Sequence, residues 1–70
     1  MIRLQRLREA KGLSKSKLSR MADLNPASVS WAESRGFRLY DVQLERLASA
    51  LGYAGSPEDL LDEVEGRDHA

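Results

Sequence analysis

The sequence has no cysteine, so neither a disulfide framework nor a thiolate zinc site can staple it. No apolar run exceeds three residues, far too few to span a membrane. Its opening residues, Met1-Ile2-Arg3-Leu4, lack the continuous apolar stretch of a signal peptide. A soluble cytoplasmic protein is expected. Histidine is almost missing: the single one, His69, sits beside the last residue and is expected to be inert. There is no glycine-rich phosphate loop, no inward carboxylate pair and no metal-ligand spacing, which leaves nothing to build an enzyme or a metal site with. Net charge is also missing, at zero for the whole chain.

What is present suits a small helical domain. With 41% hydrophobic and 31% charged residues, the chain can form a core and is not expected to be disordered. Seventy residues make one domain at most, expected over residues 1–65 with residues 66–70 frayed. A chain this short buries only ~60% of its unfolded surface, so well-packed helices, a partner subunit, or both are needed. The zero net charge hides an asymmetry. Residues 1–40 hold nine Lys/Arg against three Asp/Glu, a net +6, and residues 41–70 hold two against eight, a net −6. A basic half can face phosphates while an acidic half faces away. A dipolar surface without a partner is the plainer alternative.

Periodicity and start–stop signals predict five short helices. The first runs from about Ile2 to Lys11, with Ile2, Leu4 and Leu7 inward and Gly12 as its stop. Ser14 caps a second from Lys15 to about Asp23, with Leu18, Met21 and Ala22 at helical spacing. Asn25-Pro26 reads as N-cap and first position of a third, Pro26 to about Ser34, with Val29 and Ala32 inward. Arg35-Gly36-Phe37-Arg38 reads as a loop. Asp41 opens a fourth, carrying Leu44, Leu47, Ala48 and Leu51 and ended by Gly52. Ser56-Pro57-Glu58-Asp59 starts a fifth, about Pro57 to Val64, presenting Leu60, Leu61 and Val64.

The second and third helices are joined by so few residues (Asp23, Leu24, Asn25) that a tight corner is forced, with Leu24 in the angle and Leu18, Met21 and Val29 around it. The third helix has few apolar residues and must stay largely exposed, a shape that suits a major groove. The run Leu7-Arg8-x-x-Lys11-Gly12-Leu13-Ser14-Lys15-x-x-Leu18-Ser19-x-x-Ala22-Asp23-Leu24-Asn25-x-x-x-Val29-Ser30-x-x-Glu33, continued by Leu44-x-x-Leu47-Ala48-x-Ala50-Leu51-Gly52, resembles the Cro and phage-repressor (XRE) type of helix-turn-helix. The resemblance covers roughly residues 2 to 64. It implies an all-α, lambda-repressor-like bundle of five helices and a small transcription regulator of bacterial or phage origin. Such a regulator needs no cofactor. Ser14 and Lys15 then look like a phosphate clamp, and Pro26, Ala27, Ser28, Ser30 and Trp31 occupy the outward positions that face bases or the adjacent backbone. Arg35 and Arg38 look like phosphate contacts on the far side of the groove. Lys17, like Lys15 and Arg20, either contacts DNA or solvates an exposed face. Arg8 and Glu33 occupy positions that often form a partly buried ion pair.

The chain departs from the family pattern in informative places. Lys15 stands where a glutamine is usual, replacing a directional amide with a point charge. None of the outward residues of the third helix makes a bidentate bond to guanine or adenine. Ala32 stands where a large apolar residue is usual, with Trp31 one step earlier. Trp31 either swings back over Ala32 to complete the core or stays on the groove side, and a partner-protein contact is the third option. Gly36 comes one residue later than usual, which leaves the aim of Arg35 and Arg38 open. Two functions follow. One is a sequence-specific repressor that binds a palindromic operator as a homodimer, with the fourth and fifth helices (Leu51, Tyr53, Leu60, Leu61, Val64) as interface. The other is a protein-interaction module on the same scaffold, an antitoxin or phage-type modulator.

Overall fold

A computed structural model describes residues 1–36 and 38–64. Among these residues the elements are α1 (Arg3–Ala10), α2 (Lys15–Met21), α3 (Ser28–Arg35), α4 (Asp41–Leu51) and a 3-10 helix, Pro57–Leu61. The predicted bundle of five α-helices is therefore corrected to four, with a 3-10 turn in the fifth place. Phe37, the predicted fraying of residues 66–70, and His69 lie outside the described residues. No described helix is long and apolar enough to cross a membrane.

Three of the four helices end in one way. After α1, Gly12 N–H donates to the Glu9 carbonyl (3.0 Å) and Leu13 N–H to the Arg8 carbonyl (3.1 Å). After α4, Gly52 donates to Ser49 (3.1 Å) and Tyr53 to Ala48 (2.9 Å), and after α2, Asp23 donates to Arg20 (3.0 Å) and Leu24 to Ser19 (2.9 Å). This crossed pair of bonds needs a left-handed residue and favours an apolar residue after it. Gly12, Gly52 and Asp23 take φ +69°, +68° and +62°, and Leu13, Tyr53 and Leu24 each fold back onto the core. Asp23 is thus the one side-chain-bearing residue among the described residues at positive φ. Left-handed backbone costs most L-residues ~1–2 kcal/mol, part of which glycine returns through its freer unfolded chain. Asp23→Gly should therefore raise stability by about 0.5–1 kcal/mol, read from urea unfolding. A lowered midpoint would show that the carboxylate makes a contribution this geometry does not reveal.

The core consists of Leu4, Leu18, Ala22, Val29, Ala32, Leu39, Leu44, Leu47, Ala48, Leu51 and Leu60, with Leu7, Leu13, Leu24 and Tyr53 packed against it. Leu51 and Leu60, expected at a subunit interface, are 4% and 0% exposed and belong to this core. Met21, expected around Leu24, instead turns outward at 49% exposure. Leu39 is buried just beyond the loop, a core position the periodicity did not flag. The predicted last helix stops at Leu61 because the chain finds another partner. Arg3 N–H donates to the Asp62 carbonyl and Val64 N–H to the Met1 carbonyl, both at 2.8 Å, around an antiparallel bridge of Ile2 with Glu63. These bonds require extended backbone at Asp62 (φ −73°, ψ 143°), which ends any helix.

Candidate nucleic-acid interface

Two helices and the corner between them build the site. Ser14 caps α2 as expected, its hydroxyl accepting from Lys17 N–H at 3.0 Å. The corner then runs through left-handed Asp23, whose carbonyl accepts from Arg46 Nη1 (3.4 Å) on α4. Asn25 and Pro26 do not start α3 directly. The Asn25 side chain accepts from Ala27 N–H and its carbonyl from Ser28 N–H, both at 2.9 Å, so Pro26-Ala27 forms a turn and α3 begins at Ser28. The start signal is real, but it opens an Asx turn two residues ahead of the helix. At the far end α3 runs through Arg35, and Gly36 takes the left-handed conformation there.

Arg8 fixes the orientation of α3. Its Nε and Nη2 donate to the two Glu33 carboxylate oxygens at 2.8 and 3.0 Å, and its Nη1 donates to the Leu13 carbonyl at 2.8 Å. One guanidinium thus ties together α1, the α1–α2 connection and α3. The side chains of Arg8 and Glu33 are 10% and 3% exposed. The Glu33 hydrogen bond raises the guanidinium's pKa above its ordinary value, burial opposes this, and the charges of Glu33 and Glu9 add to it. The stability from a group whose folded pKa is raised is fully present below its unfolded value and is lost as pH rises through the folded one. The arginine therefore stays charged, and its share of stability stays intact, across the whole neutral range.

This frame presents a mixed surface. Ser14, Lys15, Lys17, Pro26, Arg35 and Arg38 are exposed, while Ala27 and Ser30 are half-buried. Ser28, expected among the outward residues, is 4% exposed. It is the first residue of α3, turned inward beside Val29, so it offers almost nothing to a ligand in this arrangement. Trp31 keeps 38% of its surface exposed and is not among the buried core residues. Lys15, Lys17, Arg20, Arg35 and Arg38 form no ion pair with any described carboxylate. Among the described residues, the Arg20 guanidinium donates to Ser16 Oγ, at 3.2 Å. Sequence reasoning missed Ser19, which is fully buried between α2 and α3 and bonded to Val29 N–H. Its signals were inward helical spacing and a place in the run that resembles the family, neither of which assigned it a role.

Comparison with known proteins agrees with this geometry. Residues 3–65 match the family model of the Cro/C1-type HTH DNA-binding domain. The chain is similar to the crystal structure of the restriction-modification controller protein C.AhdI from Aeromonas hydrophila. That match has a TM-score of 0.72 and 34% sequence identity, and it covers 83% of this chain and 85% of the other. Comparison with curated proteins gave no significant match. The family and fold are those of a DNA-binding regulator rather than an enzyme. This chain belongs to the Cro/C1-type helix-turn-helix DNA-binding domain family.

Proposed function

We propose that the chain is a sequence-specific double-stranded DNA-binding repressor that acts in the cytoplasm as a homodimer on a palindromic operator. The observation that carries this reading is the set of cations without described carboxylate partners at both ends of the α2–α3 unit, Lys15 and Lys17 at one end and Arg35 and Arg38 at the other. In this reading α3 enters the major groove. Ser14 and Lys15 hold a phosphate at the start of α2 with Lys17 beside them, and Arg35 and Arg38 hold the backbone across the groove. Pro26, Ala27, Ser30 and Trp31 form the edge that meets bases and sugars. The similarity to a controller protein supports a regulatory role. One such module covers little DNA, so two copies on half-sites about one helical turn apart give useful affinity. With Leu51 and Leu60 in the core, the interface falls to half-buried Tyr53, Leu61 and Val64, joined by Val42 of α4, which is 52% exposed.

A titration of duplex binding against salt tests the reading. Affinity through several phosphates falls steeply as salt rises. A chain that binds no duplex at low salt would instead be a protein-interaction module, an antitoxin or phage-type modulator. The observation favouring that alternative is that Pro26, Ala27, Ser30 and Trp31, the edge assigned to bases, include no side chain that reads guanine or adenine bidentately. Trp31 supplies a second readout. Its emission should shift or quench when a bound duplex is added, and an unchanged spectrum on a duplex shown independently to bind removes it from the groove side.

A further inference from the structure

We propose that Ser19 is a positioning residue of the DNA-binding unit: its buried hydroxyl caps α3 from the neighbouring helix α2 and so sets the angle at which α3 meets a duplex. The inference rests on the DNA-binding reading above.

A helix leaves its first amides without intrahelical acceptors, and each must find one elsewhere. The start of α3 finds only some of them locally. Ala27 N–H and Ser28 N–H are both taken by Asn25. The capping residue itself is Ala27, which makes no side-chain cap bond and has no side-chain acceptor to offer. The next amide, Val29 N–H, belongs to a fully buried residue, so water is not available to it. Its acceptor is Ser19 Oγ, at 3.2 Å, ten residues back in the chain.

The geometry of that hydroxyl is fixed from both sides. Ser19 is fully buried, and its one hydrogen is given to the Lys15 carbonyl of its own helix at 3.0 Å. With the donor committed inside α2, the oxygen has only its acceptor function left for Val29. Leu18 of α2 and Val29 of α3 are both fully buried and belong to the same core. Apolar contact is non-directional, so rotation of α3 about its axis is set by directional bonds: the Arg8–Glu33 pair toward its C-terminal end and the Ser19 bond at its start. The Ser19 bond is directional, and it acts on the first turn of α3, next to the residues of its outward edge. Alanine at position 19 would fill most of the same space and leave the Val29 amide buried without an acceptor.

The experiment compares Ser19→Ala, Ser19→Cys and Ser19→Thr with the unaltered chain, at a temperature where urea titration shows each to be folded. Amide exchange of Val29 is followed by NMR. Affinity is measured for a duplex selected from a random pool and for a random-sequence duplex of equal length. Ser19→Ala should lower Val29 protection and weaken the selected duplex by on the order of fivefold, the equivalent of ~1 kcal/mol. The random duplex should change by less than about twofold, because its binding rests on phosphate contacts. Ser19→Cys, whose sulfur is a larger and weaker acceptor, should behave like alanine, and Ser19→Thr, which keeps the hydroxyl oxygen, should restore both readouts. Unchanged Val29 protection in Ser19→Ala would overturn the cap. Equal weakening on both duplexes, or none on either, would overturn the positioning role. An unaltered chain that binds no duplex overturns the DNA reading and the role with it, while Val29 exchange still decides whether the cap exists.

Discussion

Glu33→Ala is expected to remove ~3–5 kcal/mol of folding stability, the penalty for leaving one partner of a buried ion pair unpaired. The stranded group is the Arg8 guanidinium, at a residue only 8% exposed. Two of its donors would lose their acceptors, leaving the Leu13 carbonyl and the partly exposed Glu9 carboxylate at 3.6 Å. A domain of this size has a total stability of only ~4–10 kcal/mol, so the variant should lose about a third or more of it. Urea unfolding followed by circular dichroism measures the loss directly. Replacing both partners with apolar residues, Arg8→Met with Glu33→Leu, should recover much of it, because buried pairs are weak net stabilisers compared with well-packed side chains. A single variant as stable as the unaltered chain would mean that the pair orients α3 without holding it in place.

The second large effect concerns affinity. Replacing Lys15, Arg35 and Arg38 together with alanine should reduce the salt dependence of duplex binding by about three in log–log slope for each engaged protomer. At near-physiological salt this corresponds to a loss on the order of a hundredfold. The loss should be nearly uniform across sequences, because phosphate contacts carry no base information. Stability should move little, since all three side chains are exposed and unpaired with described carboxylates. An unchanged slope would place the phosphate contacts on other residues, Lys17 and Arg20 first among them.

The scaffold was legible in the sequence because its signals are local. Ser14 as a cap, Gly12 and Gly52 as left-handed stops, and leucines at helical spacing each specify one turn of chain, and each appears where expected. The Arg8–Glu33 pair was legible only through resemblance, since 25 residues separate the partners. Non-local contacts decided the rest. The segment from Pro57 has a sound helix start and suitable leucines, yet pairing with Ile2 and Arg3 draws Asp62 into extended backbone and leaves a 3-10 turn. Asn25-Pro26 gives the right corner and the wrong first residue, because an Asx turn and a helix N-cap share one sequence signature. Ser28 was misplaced for the same reason: a helix starting two residues later carries its first residue inward. Ser19 stood in the family-like run without a role, because a buried serine takes its role from what lies opposite it.

Selection of bound duplexes from a random pool, at low and then rising salt, tests the central claim most directly. The expected result is enrichment of two inverted half-sites about one helical turn apart, ~10 base pairs, held with an affinity that falls steeply as salt rises. A pool from which nothing is enriched, with no duplex retained even at low salt, would contradict the claim that the α2–α3 unit works on DNA.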